Sequence, residues 1–189
     1  MATHYAISEL LIVVAGISTI RQFIAGRQTY AALATLLFTI AAGWGVVRFS
    51  FGLIEPMAET HKVLGTLGGL IGLISLTHEL IRRHIQPRLV GAHFTIALIL
   101  IIVSIFNPMV RVAFFLVWSI GLILAASKYG HLSSPLKNAL CAGLMLANVV
   151  FFRQNPFLDP ALAWHIFHVL TALWLFLLPR FIYTPARYS

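Results

Sequence analysis

Charge is what this sequence has least of. Only 10% of its 189 residues are charged, and just five are acidic against 13 Lys and Arg. A soluble domain carries about 25% charge, so a water-soluble globular fold is excluded. Cysteine is nearly absent too. The single Cys141 lies in an apolar run, so no disulfide framework exists and the redox compartment stays open. A basic N-terminal region ahead of a short apolar core is also missing, and no cleavable signal peptide is expected. What fills the chain instead is apolar: 60% of residues are hydrophobic and the mean hydropathy is +0.93. That is the composition of a membrane protein. The net charge of +8 invites a nucleic-acid reading, but the basic residues are scattered through short loops, as topology signals are. No nucleic-acid partner is expected.

A spanning helix needs about 20 mostly apolar residues. Seven runs qualify, at roughly 5–25, 30–52, 60–81, 89–106, 109–127, 134–152 and 160–183. The breaks carry turn chemistry: Gly26-Arg27-Gln28, Glu55-Pro56, Gln86-Pro87-Arg88, Asn107-Pro108, Ser133-Ser134-Pro135 and Gln154-Asn155-Pro156. The expected fold is all-α: a polytopic seven-transmembrane-helix bundle forming one domain over residues 1–189. Nine Lys and Arg fall on the side of the odd-numbered loops and C-terminal tail, four on the other. The positive-inside rule then puts the N-terminus outside and the C-terminus in the cytoplasm. The chain is a multi-pass integral membrane protein, of the inner (plasma) membrane if it is bacterial.

That topology sorts the polar residues. Glu9, Glu55, Glu59 and Asp159 fall near the outer ends, with His4, His61, His165 and His168. Glu79, His78, His84, His93 and His131 belong to the inner side. The pair His165 and His168 stands out because residues three apart share a helix face, about 60° apart, at the mouth of an apolar helix. Imidazole is the commonest biological metal ligand. The pair is therefore part of a metal site, or two polar side chains satisfied at a helix end. His61, in Glu59-Thr60-His61-Lys62, is the natural third ligand or an interfacial histidine beside a lysine. Asp159 orients a ligand or activates water, or is simply a helix N-cap. Glu9 lies about one turn inside the first span, and intramembrane carboxylates are functional candidates by default. Arg48 is placed to pair with any of these acids, and Ser50 to reach the site or merely pack. Gly43 and Gly45, like Gly65, Gly68, Gly69 and Gly72, form small-residue faces for close helix approach. The four tryptophans read as interface anchors or core.

Seven spans with histidines opening the last one resemble the superfamily of alkaline ceramidases and progestin/adipoQ receptors. The stretch His165-Ile-Phe-His168-Val-Leu looks like the seventh-helix segment of adiponectin receptors and like the histidine–tryptophan segment of the ceramidases. The resemblance implies zinc held by three histidines and hydrolysis of a lipid amide. His168 matches the second seventh-helix histidine, and Glu9 loosely resembles a first-helix glutamate of the ceramidases. The family's other seventh-helix position is occupied by Trp164, so His165 would be a shifted ligand. Ser50 matches the family's second-helix serine, but the histidine four residues later is Ile54 here, and His61 stands where an aspartate is implied.

Three functions follow as expectations. The first is a zinc-dependent membrane hydrolase of a lipid amide or ester. His61, His165 and His168 would hold the metal, with Asp159, Glu59 or Glu9 as base or orienter and Ser50 within reach. The second is a haem b redox protein ligated by His61 with His165 or His168, and by His78 with His93 at an inner haem. His61 and His78 are themselves about 25 Å apart along one helix and cannot share a haem. The third is a non-enzymatic transporter or assembly factor. Membrane lipid is the expected partner in the first case, and oligomeric state is open.

Overall fold

The computed structural model describes residues 3–153 and 155–182, the side chains of residues 87, 88, 90, 91 and 93 excepted. Its seven α-helices are α1 (Thr3–Ala25), α2 (Thr29–Ser50), α3 (Ala58–Ile81), α4 (Pro87–Phe106), α5 (Pro108–Tyr129), α6 (Pro135–Asn148) and α7 (Pro160–Ile182). A single π-helical turn, Val149–Arg153, continues α6. No strand occurs among the described residues. Among the described residues, six helical segments are long and apolar enough to cross a membrane, Pro135–Arg153 among them; the apolar stretch Phe94–Phe106 of α4 is shorter. The chain is a helical membrane protein of the multi-pass kind.

The helix starts follow from local chemistry. Asn107 Oδ1 accepts from the amides of Met109 and Val110, Ser134 Oγ from Lys137, and Asp159 Oδ1 from Ala161 and Leu162. In each case the next residue is a proline, whose missing N–H is no loss at the first helical position. Gly52 takes φ 68° just beyond the end of α2, the left-handed conformation that glycine adopts without penalty.

Helix α1 packs between α2 and α7, and α3 lies against α2 and α5. Close approach is built from small residues. A Cβ on Gly16 would overlap Thr39, and one on Gly72 would lie 2.6 Å from the Phe38 ring. Gly68 abuts the Leu37 carbonyl, whereas Gly43, Gly65 and Gly69 face open space. The core includes Trp174, Phe23, Leu73, Leu76, Leu122 and Leu178. Pro179, inside α7, has no N–H for the Leu175 carbonyl four residues back; the Thr19 hydroxyl of α1 donates to that carbonyl at 2.9 Å.

The end holding the α1–α2 loop is tied by polar contacts. Glu79 of α3 is buried, and its Oε2 accepts from the Tyr30 and Ala31 amides at the start of α2. Its Oε1 accepts from Arg82 at 2.7 Å. Glu79 thus caps α2 from a neighbouring helix, where Gln28 offers no side-chain cap. Gln28 instead donates to the Ile182 carbonyl at 2.7 Å. His93, expected with His78 at an inner haem, falls outside the described side chains.

Candidate functional site

At the other end, three helices meet on one carboxylate. Glu9, on α1, is 1% exposed. Its Oε1 lies 3.3 Å from His61 Nε2 of α3 and 3.2 Å from His168 Nε2 of α7. Helix α2 makes the room: a Cβ on Gly45 would overlap Oε1 and approach the Glu9 Cδ to 2.5 Å. Glycine at 45 therefore lets the carboxylate lie against the α2 backbone. Neither ring N–H is aligned on Oε1 as a well-formed hydrogen bond.

The outer nitrogens fix what each ring can do. His168 Nδ1 is 2.7 Å from the Trp164 carbonyl, an acceptor only, so Nδ1 carries a proton and donates. Its Nε2 then faces Glu9. His61 Nδ1 lies 3.3 Å from Arg48 Nη1, and a guanidinium only donates. As arranged, His61 Nδ1 accepts, which places its proton on Nε2, towards Glu9. Arg48 Nε also donates to the Ile54 carbonyl at 2.8 Å, pinning the α2–α3 loop, and the guanidinium lies 5.0 Å from the Phe49 ring centre.

Aromatic rings close the site. Trp164 stacks on His168 at 4.4 Å between centroids and meets Tyr5 and Phe49 edge-on at 5.5 Å each. Beside His168, Asn148 at the end of α6 is fully buried and donates to the Phe167 carbonyl and the Thr171 hydroxyl. The π-helical turn that follows carries Arg153 over the Phe167 ring at 4.8 Å. Isolated π-turns recur beside functional sites. Apolar periodicity gave no signal for this one.

The other candidates are placed elsewhere. His165 Nδ1 sits 3.2 Å from Ser8 Oγ, and its ring stacks on Tyr5 at 5.3 Å, one helix face away from Glu9. The Ser8 hydroxyl donates to the Tyr5 carbonyl, so it accepts from His165. Asp159 is exposed and caps α7. Glu59 is exposed beside Lys62, 3.4 Å away. Ser50 is exposed on the rim of a groove between α1 and α2. Arg48 binds a carbonyl and an imidazole rather than an acid. The structure thus brings together Glu9, His61 and His168, and leaves His165, Asp159, Glu59 and Ser50 outside that contact.

Two imidazoles and a carboxylate are a donor set that zinc accepts, and zinc bonds of about 2.0–2.1 Å would set tetrahedral ligand atoms roughly 3.4 Å apart. The two distances to Oε1 match that edge. His168, with Nδ1 held by a carbonyl, has the orientation usual in a metal-bound histidine. His61 does not, because metal on Nε2 would put an Nδ1 proton against the Arg48 guanidinium. Among the described residues, no group of three or more His, Cys, Asp and Glu side chains has metal-centre geometry as it stands. The two nitrogens that a haem iron shared by His61 and His168 would need both lie within 3.3 Å of Glu9 Oε1. Comparison with family models, curated proteins and solved structures gives no match to this chain.

Proposed function

We propose that this chain is a seven-span membrane hydrolase of a lipid amide or ester, with Glu9, His61 and His168 as its reactive centre. The observation that carries the reading is the buried Glu9 oxygen set 3.2–3.3 Å from two imidazole nitrogens at one end of the bundle. A carboxylate in a membrane span is expensive and is retained for chemistry by default. The 20 residues of α4 extend about 30 Å, enough for the seventh crossing, and Asn107 alone separates α4 from α5. Nine Lys and Arg against four favour an N-terminus outside and a cytoplasmic C-terminus. The site would then face the outer leaflet.

Zinc would be held by His168, Glu9 and, once Arg48 turns its Nη1 aside, His61; it would polarise the scissile carbonyl and acidify a water. The chain's own residues do the rest. With Oε1 as the ligand atom, the other oxygen of the Glu9 carboxylate, Oε2, takes the proton of the attacking water. Trp164 fixes the His168 ring by its carbonyl and its stacked indole. The Tyr5, Phe49 and Trp164 rings exclude bulk water, which strengthens every charge interaction inside. The test is turnover of a ceramide-type amide and a lysophospholipid ester in vesicles. Glu9→Gln removes a metal ligand together with the base, so turnover should fall by at least the ~10²–10⁴ that a general base alone is worth. Turnover that survives Glu9→Gln would sink the reading.

A second reading is favoured by the Arg48–His61 contact. With Arg48 on His61 and the Trp164 carbonyl on His168 Nδ1, Glu9 Oε1 and His168 Nε2 face each other at 3.2 Å, close enough to pass a proton, a metal-free acid–base pair of the kind proton-coupled transporters use. Purified protein without metal and without hydrolysis, but with pH-driven substrate uptake lost in Glu9→Gln, would establish it.

A further inference from the structure

The groove between α1 and α2 runs along the same seam that buries Glu9. It encloses about 420 Å³ and is lined by Thr3, His4, Ala6, Ile7, Leu10, Val46 and Ser50. Its two ends differ in chemistry. Thr3, His4 and Ser50 form a polar rim at the cluster end of the bundle, and Ala6, Ile7, Leu10 and Val46 line the apolar part below. From Thr3 to Leu10 the groove follows α1 for about 10 Å. Gly43 lies about one turn below Val46 on α2 and has nothing within 4 Å of its Cβ position, so no side chain stands against α2 at that point. On the far side of the seam is Gly45, where the Glu9 carboxylate fills the space a side chain would take. At the rim, His4 meets the His165 ring at 5.2 Å, and His165 contacts Ser8, the neighbour of Glu9.

The geometry points to a binding site for one membrane lipid: an acyl chain in the α1–α2 groove, its polar head against His4 and Ser50. The occupant is set by the gradient along the groove. A polar rim of imidazole and hydroxyls suits a head group with hydrogen-bonding oxygens, and an apolar channel open on its bilayer side suits a single tail. A peptide would need partners for its backbone amides, which the apolar stretch does not supply. The position of the groove also makes it the entry for the lipid substrate, a part of the inference that rests on the hydrolase reading.

The test uses the full chain in vesicles doped with a phospholipid carrying a diazirine in one acyl chain. After photolysis, peptide mass spectrometry locates the adducts. Labelling should concentrate on residues 3–10 and 43–50, above the level on the exposed α5 face of Val117, Ile120 and Leu124. Gly43→Trp fills the channel and should abolish that excess. Gly69→Trp, which also enters open space but on α3, should leave it intact. Equal labelling of all bilayer-facing helices, or an excess unchanged by Gly43→Trp, overturns the site. Groove labelling in a protein that hydrolyses nothing keeps the lipid site and removes only the entry role.

Discussion

The Glu9 carboxylate and the His168 imidazole, 159 positions apart in the chain, meet with Oε1 and Nε2 at 3.2 Å. The contact joins the first helix to the last, and His61 at 3.3 Å adds the third. A carboxylate shared by α1, α3 and α7 needs every one of those helices in register. Replacing Glu9 by Gln keeps the shape and removes the charge. Replacing His168 by Ala leaves the Glu9 charge buried beside one imidazole only, at a cost of roughly 3–5 kcal/mol if that charge is retained. His168→Ala should therefore melt well below Glu9→Gln in the same detergent, and equal melting points would contradict the shared contact.

Gly45 and Gly43 make a matched pair. Alanine at 45 must displace the Glu9 carboxylate, whereas alanine at 43 meets nothing. Gly45→Ala should cost about 1–3 kcal/mol by overpacking and remove the function of the centre. Gly43→Ala should change neither by thermal melting and turnover.

The Thr19 hydroxyl on the Leu175 carbonyl substitutes for the hydrogen bond that Pro179 removes from α7. Thr19→Val keeps the shape and orphans a buried acceptor, costing about 1–3 kcal/mol. The paired variant Thr19→Val with Pro179→Ala supplies the missing N–H and should recover most of that loss. A double variant no better than Thr19→Val would refute the substitution.

Asp159 separates capping from chemistry. It accepts two amides of α7 and is exposed. Asp159→Ala should cost about 1 kcal/mol of stability, and Asp159→Asn or Asp159→Ser much less. None should change turnover, and a turnover loss restored by neither Asn nor Ser would return Asp159 to the reactive centre.

The helices were legible in the sequence because hydropathy and turn residues are local. The run at 160–183 is α7 (Pro160–Ile182), and the run at 5–25 is α1 (Thr3–Ala25). The run at 134–152 is Pro135–Asn148 with its π-helical turn, whose extra residue leaves no mark on apolar periodicity. The membrane level of Glu9, His61, His165 and His168 followed from the same alternation of helices. What the sequence did not carry was direction around each helix. His165 and His168 share a broad face of α7, yet one turns to Ser8 and the other to Glu9, because α1 lies against α7 at that height. Similarly, Gly45 read as a packing residue. Its role in admitting a carboxylate needs the α1–α2 register, which no local pattern encodes. The role of Glu79 as a cap for α2, 48 residues upstream at Ala31, is hidden for the same reason.

Metal analysis of the detergent-purified protein tests the central claim most directly, with Glu9→Gln, His168→Ala and His165→Ala measured alongside. The account predicts about one zinc per chain, the stoichiometry of a single centre, lost in the first two variants and kept in His165→Ala. Zinc that survives Glu9→Gln and His168→Ala but disappears in His165→Ala, or no zinc in the wild-type protein, would contradict a zinc centre built on Glu9.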